Sequence, residues 1–104
     1  MNPKEKIKDF VRHIETLGKR STNRVIDEFQ ETEKELLNKF IADAHDLIEH
    51  NEWGTAIENL LINIYEIDFK IDIIAVDLAK AAIEECKMDY KEWKFIEGLV
   101  QEFP

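Results

Sequence analysis

The sequence predicts an all-α, compact bundle of five to six helices in a single domain. Apolar residues recur at spacings of three and four along most of the chain, and the gaps between these periodic segments are only a few residues. Helix breakers are scarce, with 3 Gly and 2 Pro in 104 residues. A chain of this length holds one core.

The first helix is expected to start at Asn2-Pro3, a cap residue followed by proline at the first helical position. Ile7, Phe10, Val11, Ile14 and Leu17 form its inward face, and Gly18 stops it. Ser21-Thr22 restarts a helix with Val25, Ile26 and Phe29 pointing inward. Two courses are open from there. Heptad steps from Phe29 to Leu36 and from Phe40 to Leu47 suit one helix from about 22 to 49. The capping box Thr32-Glu33-Lys34-Glu35, in a stretch with no apolar residue, suits a break near 30–32 and tips the balance that way.

Leu36, Leu37, Phe40, Ile41, Ala44, Leu47 and Ile48 then form a wide stripe, ended by His50-Asn51-Glu52. The next helix presents Trp53, Ala56, Ile57, Leu60, Leu61, Ile64 and Tyr65, a face broad enough for a central element. Gly54 in its first turn costs helix stability, so a close approach by another group is expected there. Ile67-Asp68-Phe69-Lys70-Ile71 alternates like a strand but has no partner nearby, and reads as an extended connector tucked under the bundle. Asp72 caps a helix from about Ile73 to Lys87 whose inward residues are Ile74, Ala75, Leu78, Ala79, Ala82, Ile83 and Cys86. Asp89-Tyr90-Lys91-Glu92 starts the last helix, with Trp93, Ile96, Leu99, Val100 and Phe103 inward and Pro104 as its stop.

Composition narrows the function. No apolar run is long enough to span a bilayer. The start MNPKEKIKDF carries charges where a secretory signal needs apolar residues, so a cytoplasmic protein is expected. Cys86 is the single cysteine and reads as a small buried hydrophobe rather than a reactive thiol. The net charge of −9 is uneven, with seven basic and three acidic side chains in residues 1–24 and seven basic and twenty acidic in the rest. Such a surface repels a phosphate backbone and attracts a basic partner. Lys4, Lys6, Lys8 and Arg12 lie off the first helix's apolar face, as a solvated surface rather than a nucleic-acid site.

No catalytic constellation is visible. Of the three histidines, His13, His45 and His50, His45 shares a helix face with Glu49, but two ligands are too few for a zinc site and Cys86 is far away in sequence. There is no phosphate-cradling glycine loop and no convincing nucleophile, so neither enzyme activity nor a cofactor or metal is expected. Recognition is the better prospect. Glu49, Glu52, Glu58, Glu66, Asp68 and Asp72 cluster around the central helix, with Asp72 leaning to capping. Among the aromatics, Trp53, Phe69 and Trp93 read as core, and Tyr65 and Tyr90 with their polar tips as contacts. The partner-binding set is therefore Glu49, Glu52, Glu58, Tyr65, Glu66 and Asp68.

The wording from Ile48 to Ala56, IEHNEWGTA, followed by Asn63-Ile64-Tyr65-Glu66, Ile71-Asp72 and Trp93, resembles MafI-type immunity proteins of contact-dependent growth inhibition systems. The likeness covers roughly residues 45–100; residues 1–40 add only helix periodicity. It implies a helical, non-catalytic cytoplasmic protein without cofactor that binds and silences a cognate secreted toxin. Such toxins are often nucleases, so a basic nuclease is the expected partner. Neither nucleic acid nor membrane is expected to bind, and self-association is compatible with this role. The competing expectation is a regulatory adaptor or antitoxin-like module using the basic first helix on DNA.

Overall fold

The computed structural model describes residues 3–21 and 24–101. The expected roles of Asn2, Thr22, Phe103 and Pro104 lie outside the described residues. Among those described, five helices and one small hairpin share a single core with a radius of gyration of 13.0 Å. The all-α bundle is therefore as expected.

Helix α1 spans Lys4–Gly18 and buries all five residues of its expected face. Gly18 is its last residue, and it serves packing rather than a left-handed stop. A Cβ there would come within 2.6 Å of Leu37 Cδ2, so the glycine lets the following layer approach.

Residues 24–32 correct the sequence expectation. Val25–Ile26 (β1) pairs antiparallel with Glu31–Thr32 (β2), Val25 opposite Thr32 and Ile26 opposite Glu31, so no helix runs through this segment. Val25 is 57% exposed and Phe29 41%, leaving only Ile26 of the three packed on the core. β-branched residues at the paired positions favour the extended form, and the next helix has its own start. The Thr32 hydroxyl accepts from the Glu35 amide at 3.2 Å, while Glu35 Oε1 accepts from the Thr32 amide at 3.1 Å. That capping box opens α2, Glu33–Glu49, and settles the break near residues 30–32. The hairpin is tied down by Arg24, which donates to the buried Glu33 carboxylate (Nε at 3.1 Å) and to the Ile67 carbonyl at 2.7 Å.

Helix α3 is Trp53–Glu66, joined to α2 by a short turn that makes the two an antiparallel pair. Helix α4 is Ile73–Glu85 and lies mainly along α1. Its buried face is Ala75, Val76, Ala79, Ala82 and Ile83, rotated from the expected one. Ile74 is 54% exposed, and Val76 takes its place inside. The connector buries Ile67, Phe69 and Ile71 as expected, but it is not extended throughout, because Ile67 and Asp68 form the turn that ends α3. It also finds a partner that the sequence hid, a single parallel bridge between Ile71 and Val100.

Tyr90–Leu99 forms a 3₁₀ helix capped by Asp89, whose carboxylate accepts from the Lys91 amide at 3.0 Å. Three residues per turn stack Trp93, Ile96 and Leu99 on one edge, and all three are buried. Gly54 is a second correction. A Cβ there would meet Met88 Sδ at 3.8 Å, an ordinary contact, so no close approach explains it.

Helices α2, α3 and α4 end alike. Asn51, Asp68 and Lys87 adopt positive φ just past each end (60°, 53° and 59°). In each case the next amide reaches back five residues: Glu52 to Leu47, Phe69 to Ile64 and Met88 to Ile83. These are Schellman ends built without glycine.

Lys87 is the residue least suited to that geometry, so Lys87→Gly is expected to stabilise the fold by roughly 0.5–1 kcal/mol in urea denaturation. A loss of stability would show that the left-handed turn carries no strain. Arg24→Ala removes the guanidinium that bonds the Glu33 carboxylate, and should cost about 1–3 kcal/mol. Adding Glu33→Leu to that variant should restore part of the loss; no recovery would mean that the pair contributes through geometry rather than charge.

Candidate functional surface

The six expected partner-binding residues do not form one cluster. Glu49 closes α2 and Glu52 precedes α3, while Glu58 sits in the second turn of α3. Tyr65 and Glu66 occupy the far end of α3, with Asp68 just past it. Fourteen residues separate Glu52 from Glu66, about 21 Å at about 1.5 Å per residue. The set spreads along one helix, with Glu49 and Glu52 at its start, Glu58 near its middle and Tyr65, Glu66 and Asp68 at its far end.

At the first end, His50 reports the local field. Its Nδ1 lies 2.8 Å from the Asp46 carbonyl. That hydrogen bond, then the Asp46 carboxylate, and further out Glu52 and Glu49, hold the imidazole pKa above its ordinary value against the effect of desolvation. Glu52 and Glu58 line a shallow groove with Trp53, Gly54 and Cys86. Burial raises the Cys86 thiol pKa, and Glu58 and Glu85 raise it further, which suppresses thiolate chemistry.

At the second end, Tyr65 is 49% exposed and meets Phe95 of the 3₁₀ helix edge-to-face, with ring centroids 4.7 Å apart. Ile62, one turn before Tyr65, is 41% exposed and Phe95 is 37% exposed. Sequence periodicity passed over both Ile62 and Phe95. The signal was present as apolar residues that fit no inward face. Asp68 behaves differently from its neighbours: it bonds Lys70 at 3.0 Å and lines a cleft of about 370 Å³ with Arg20, Arg24 and Glu33. It belongs to a mixed-charge surface, and its backbone ends α3.

Tyr90 is engaged internally, donating its hydroxyl to Glu97 at 2.8 Å with Lys80 Nζ 5.5 Å from its ring centre. His45 turns to Glu15 on α1 at 2.8 Å rather than to Glu49. Among the described residues no three His, Cys, Asp or Glu side chains converge to hold a metal ion, and no helix is long and apolar enough to cross a membrane.

Along the sequence the stretch that joins the two ends is uniformly acidic. From Phe40 to Phe69 there are seven carboxylates and no lysine or arginine. Six of the seven carboxylate side chains are exposed, and Glu58 is half-buried. No known protein family, curated protein or solved structure matches the chain.

Asp72, the remaining acidic candidate, is structural. It accepts from the Ala75 amide at 2.9 Å, capping α4, and lies 2.8 Å from His13 Nε2 on α1. Burial acts to raise its carboxyl pKa, but the hydrogen bonds from His13 and Ala75 outweigh it and leave the pKa below the ordinary aspartate value. A carboxylate with a depressed folded pKa contributes stability above its unfolded pKa and loses it as pH falls through the folded one. Asp72→Ala should therefore cost about 1 kcal/mol near neutral pH. The gap from wild type should narrow as pH drops below about 4, as read by thermal melts. A gap independent of pH would refute the ionised cap.

Proposed function

We propose that this protein is a non-catalytic immunity protein. In this role it binds a cognate secreted toxin domain, a basic nuclease, and occludes its active site or substrate path. The observation that carries the reading is the stretch from Phe40 to Phe69, which folds into the α2–α3 pair and carries seven carboxylates without a lysine or arginine among them. A basic active-site groove is the complementary surface, and such pairs associate fast at low salt. The MafI-like wording of Glu52–Ala56 and Tyr65-Glu66 falls on the same helix, at its start and its end. The protein would act in the cytoplasm, where the toxin meets its substrate, and would need no cofactor. An interface of about 1,600 Å² is of standard size for such a complex.

The test is co-expression with the C-terminal domain encoded by the neighbouring gene. That domain alone should arrest growth, and this chain should restore it and co-purify as a stable complex weakened by salt. Arrest with neither rescue nor complex would reject the immunity role.

A further inference from the structure

We infer that the outward surface shared by α3 and the 3₁₀ helix docks a basic protein, with Ile62, Tyr65 and Phe95 at its centre and Glu58, Glu66 and Glu92 around them. A lysine or arginine of that partner lies against the Tyr65–Phe95 ring pair. The inference rests on the immunity reading for the identity of the partner, and it commits to one face of the molecule.

Three large apolar side chains stand exposed where two elements meet. On α3, Glu58, Ile62, Tyr65 and Glu66 follow one another at spacings of four, three and one, and so share its outward side. On the 3₁₀ helix the three-residue repeat places Glu92, Phe95 and Gly98 along one edge. A Cβ on Gly98 would have no heavy atom within 4 Å, so that side of the edge lies open beside Phe95. The edge-to-face contact at an interplanar angle of 68° seats the edge of one ring on one face of the other, and the pair leaves the opposite face of that ring uncovered. An aromatic face bordered by carboxylates is a receptor for a cationic side chain.

Charge decides the occupant, because the three carboxylates outnumber Lys91 and Lys94, which are exposed on the adjoining edge of the 3₁₀ helix. A second copy placed on this face by two-fold symmetry would bring its own Glu58, Glu66 and Glu92 against these. A nucleic acid or an anionic lipid surface would be repelled in the same way. A basic protein surface gains from both the apolar centre and the acidic border. Half-exposed aromatics of this kind act as anchors when a partner covers them.

The experiment measures affinity between the full-length chain and the purified C-terminal domain of the neighbouring gene product, alongside growth rescue. Tyr65→Ala and Phe95→Ala should each weaken binding by about tenfold or more. Gly98→Lys adds a cation to the face without crowding the fold, and should weaken binding similarly while leaving the circular dichroism spectrum unchanged. Val25→Ala, an exposed apolar residue on the hairpin, is the control and should bind like wild type. If wild type binds and rescues but all three face variants stay within about twofold of it, the docking face is wrong and the immunity role stands. If wild type neither binds nor rescues, both fall.

Discussion

The burial of one side of α3 is the constraint on which the rest of the molecule depends. Ala56, Ile57, Leu60, Leu61 and Ile64 are all fully enclosed, and the helix touches α1, α2, α4 and the 3₁₀ helix. Each large side chain among them contributes on the order of 1.5–3 kcal/mol by leaving water. Rotating α3 to hide Ile62 and Tyr65 would bring Leu61 and Ile64 towards solvent. The core therefore holds the exposed aromatic surface in place, and the same helix supplies both stability and the proposed recognition face.

The ends of the helices explain how a chain with three glycines turns so tightly. Asn51, Asp68 and Lys87 each accept a left-handed conformation, and the returning backbone bonds satisfy carbonyls that would otherwise lack partners. The turn after α3 buries both Phe69 and Ile64 across its end, and the turn after α4 sets the half-buried Met88 beside the buried Ile83. The turn at Asn51 instead leads through Glu52, which leaves a carboxylate at the start of α3. Acidic groups therefore gather at helix junctions for structural reasons as well as for recognition, and Asp72 and Asp68 show the structural side most clearly.

Much of the fold was legible because burial follows period. The α1, α2 and α3 faces emerge from spacings of three and four, and the capping box Thr32–Glu35 marks the start of α2 by chemistry that only a helix terminus uses. The hairpin was not legible. Val25, Ile26 and Phe29 imitate a helical repeat over too few residues to distinguish it from a strand, and the Arg24 contacts to Glu33 and Ile67 are long-range. The α4 face was misplaced at Ile74 and Val76 because adjacent aliphatic residues give no phase of their own. In the 3₁₀ helix, the spacing of Trp93, Ile96 and Leu99 fits either helix type, so the tighter form was hidden. For the site, Tyr65 was legible as an aromatic with a polar tip. Its partner Phe95 comes from an element thirty residues away, and no local pattern joins them.

The central claim is that the outer side of α3 is where the partner binds. The most direct measurement is chemical-shift mapping of the ¹⁵N-labelled protein, titrated with the unlabelled toxin domain of the neighbouring gene product. The account predicts the largest shifts at Glu58, Ile62, Tyr65, Glu66 and Phe95, with the α1 surface around Lys6 and Arg12 unchanged. Shifts centred on α1 or on the hairpin, with α3 silent, would contradict it.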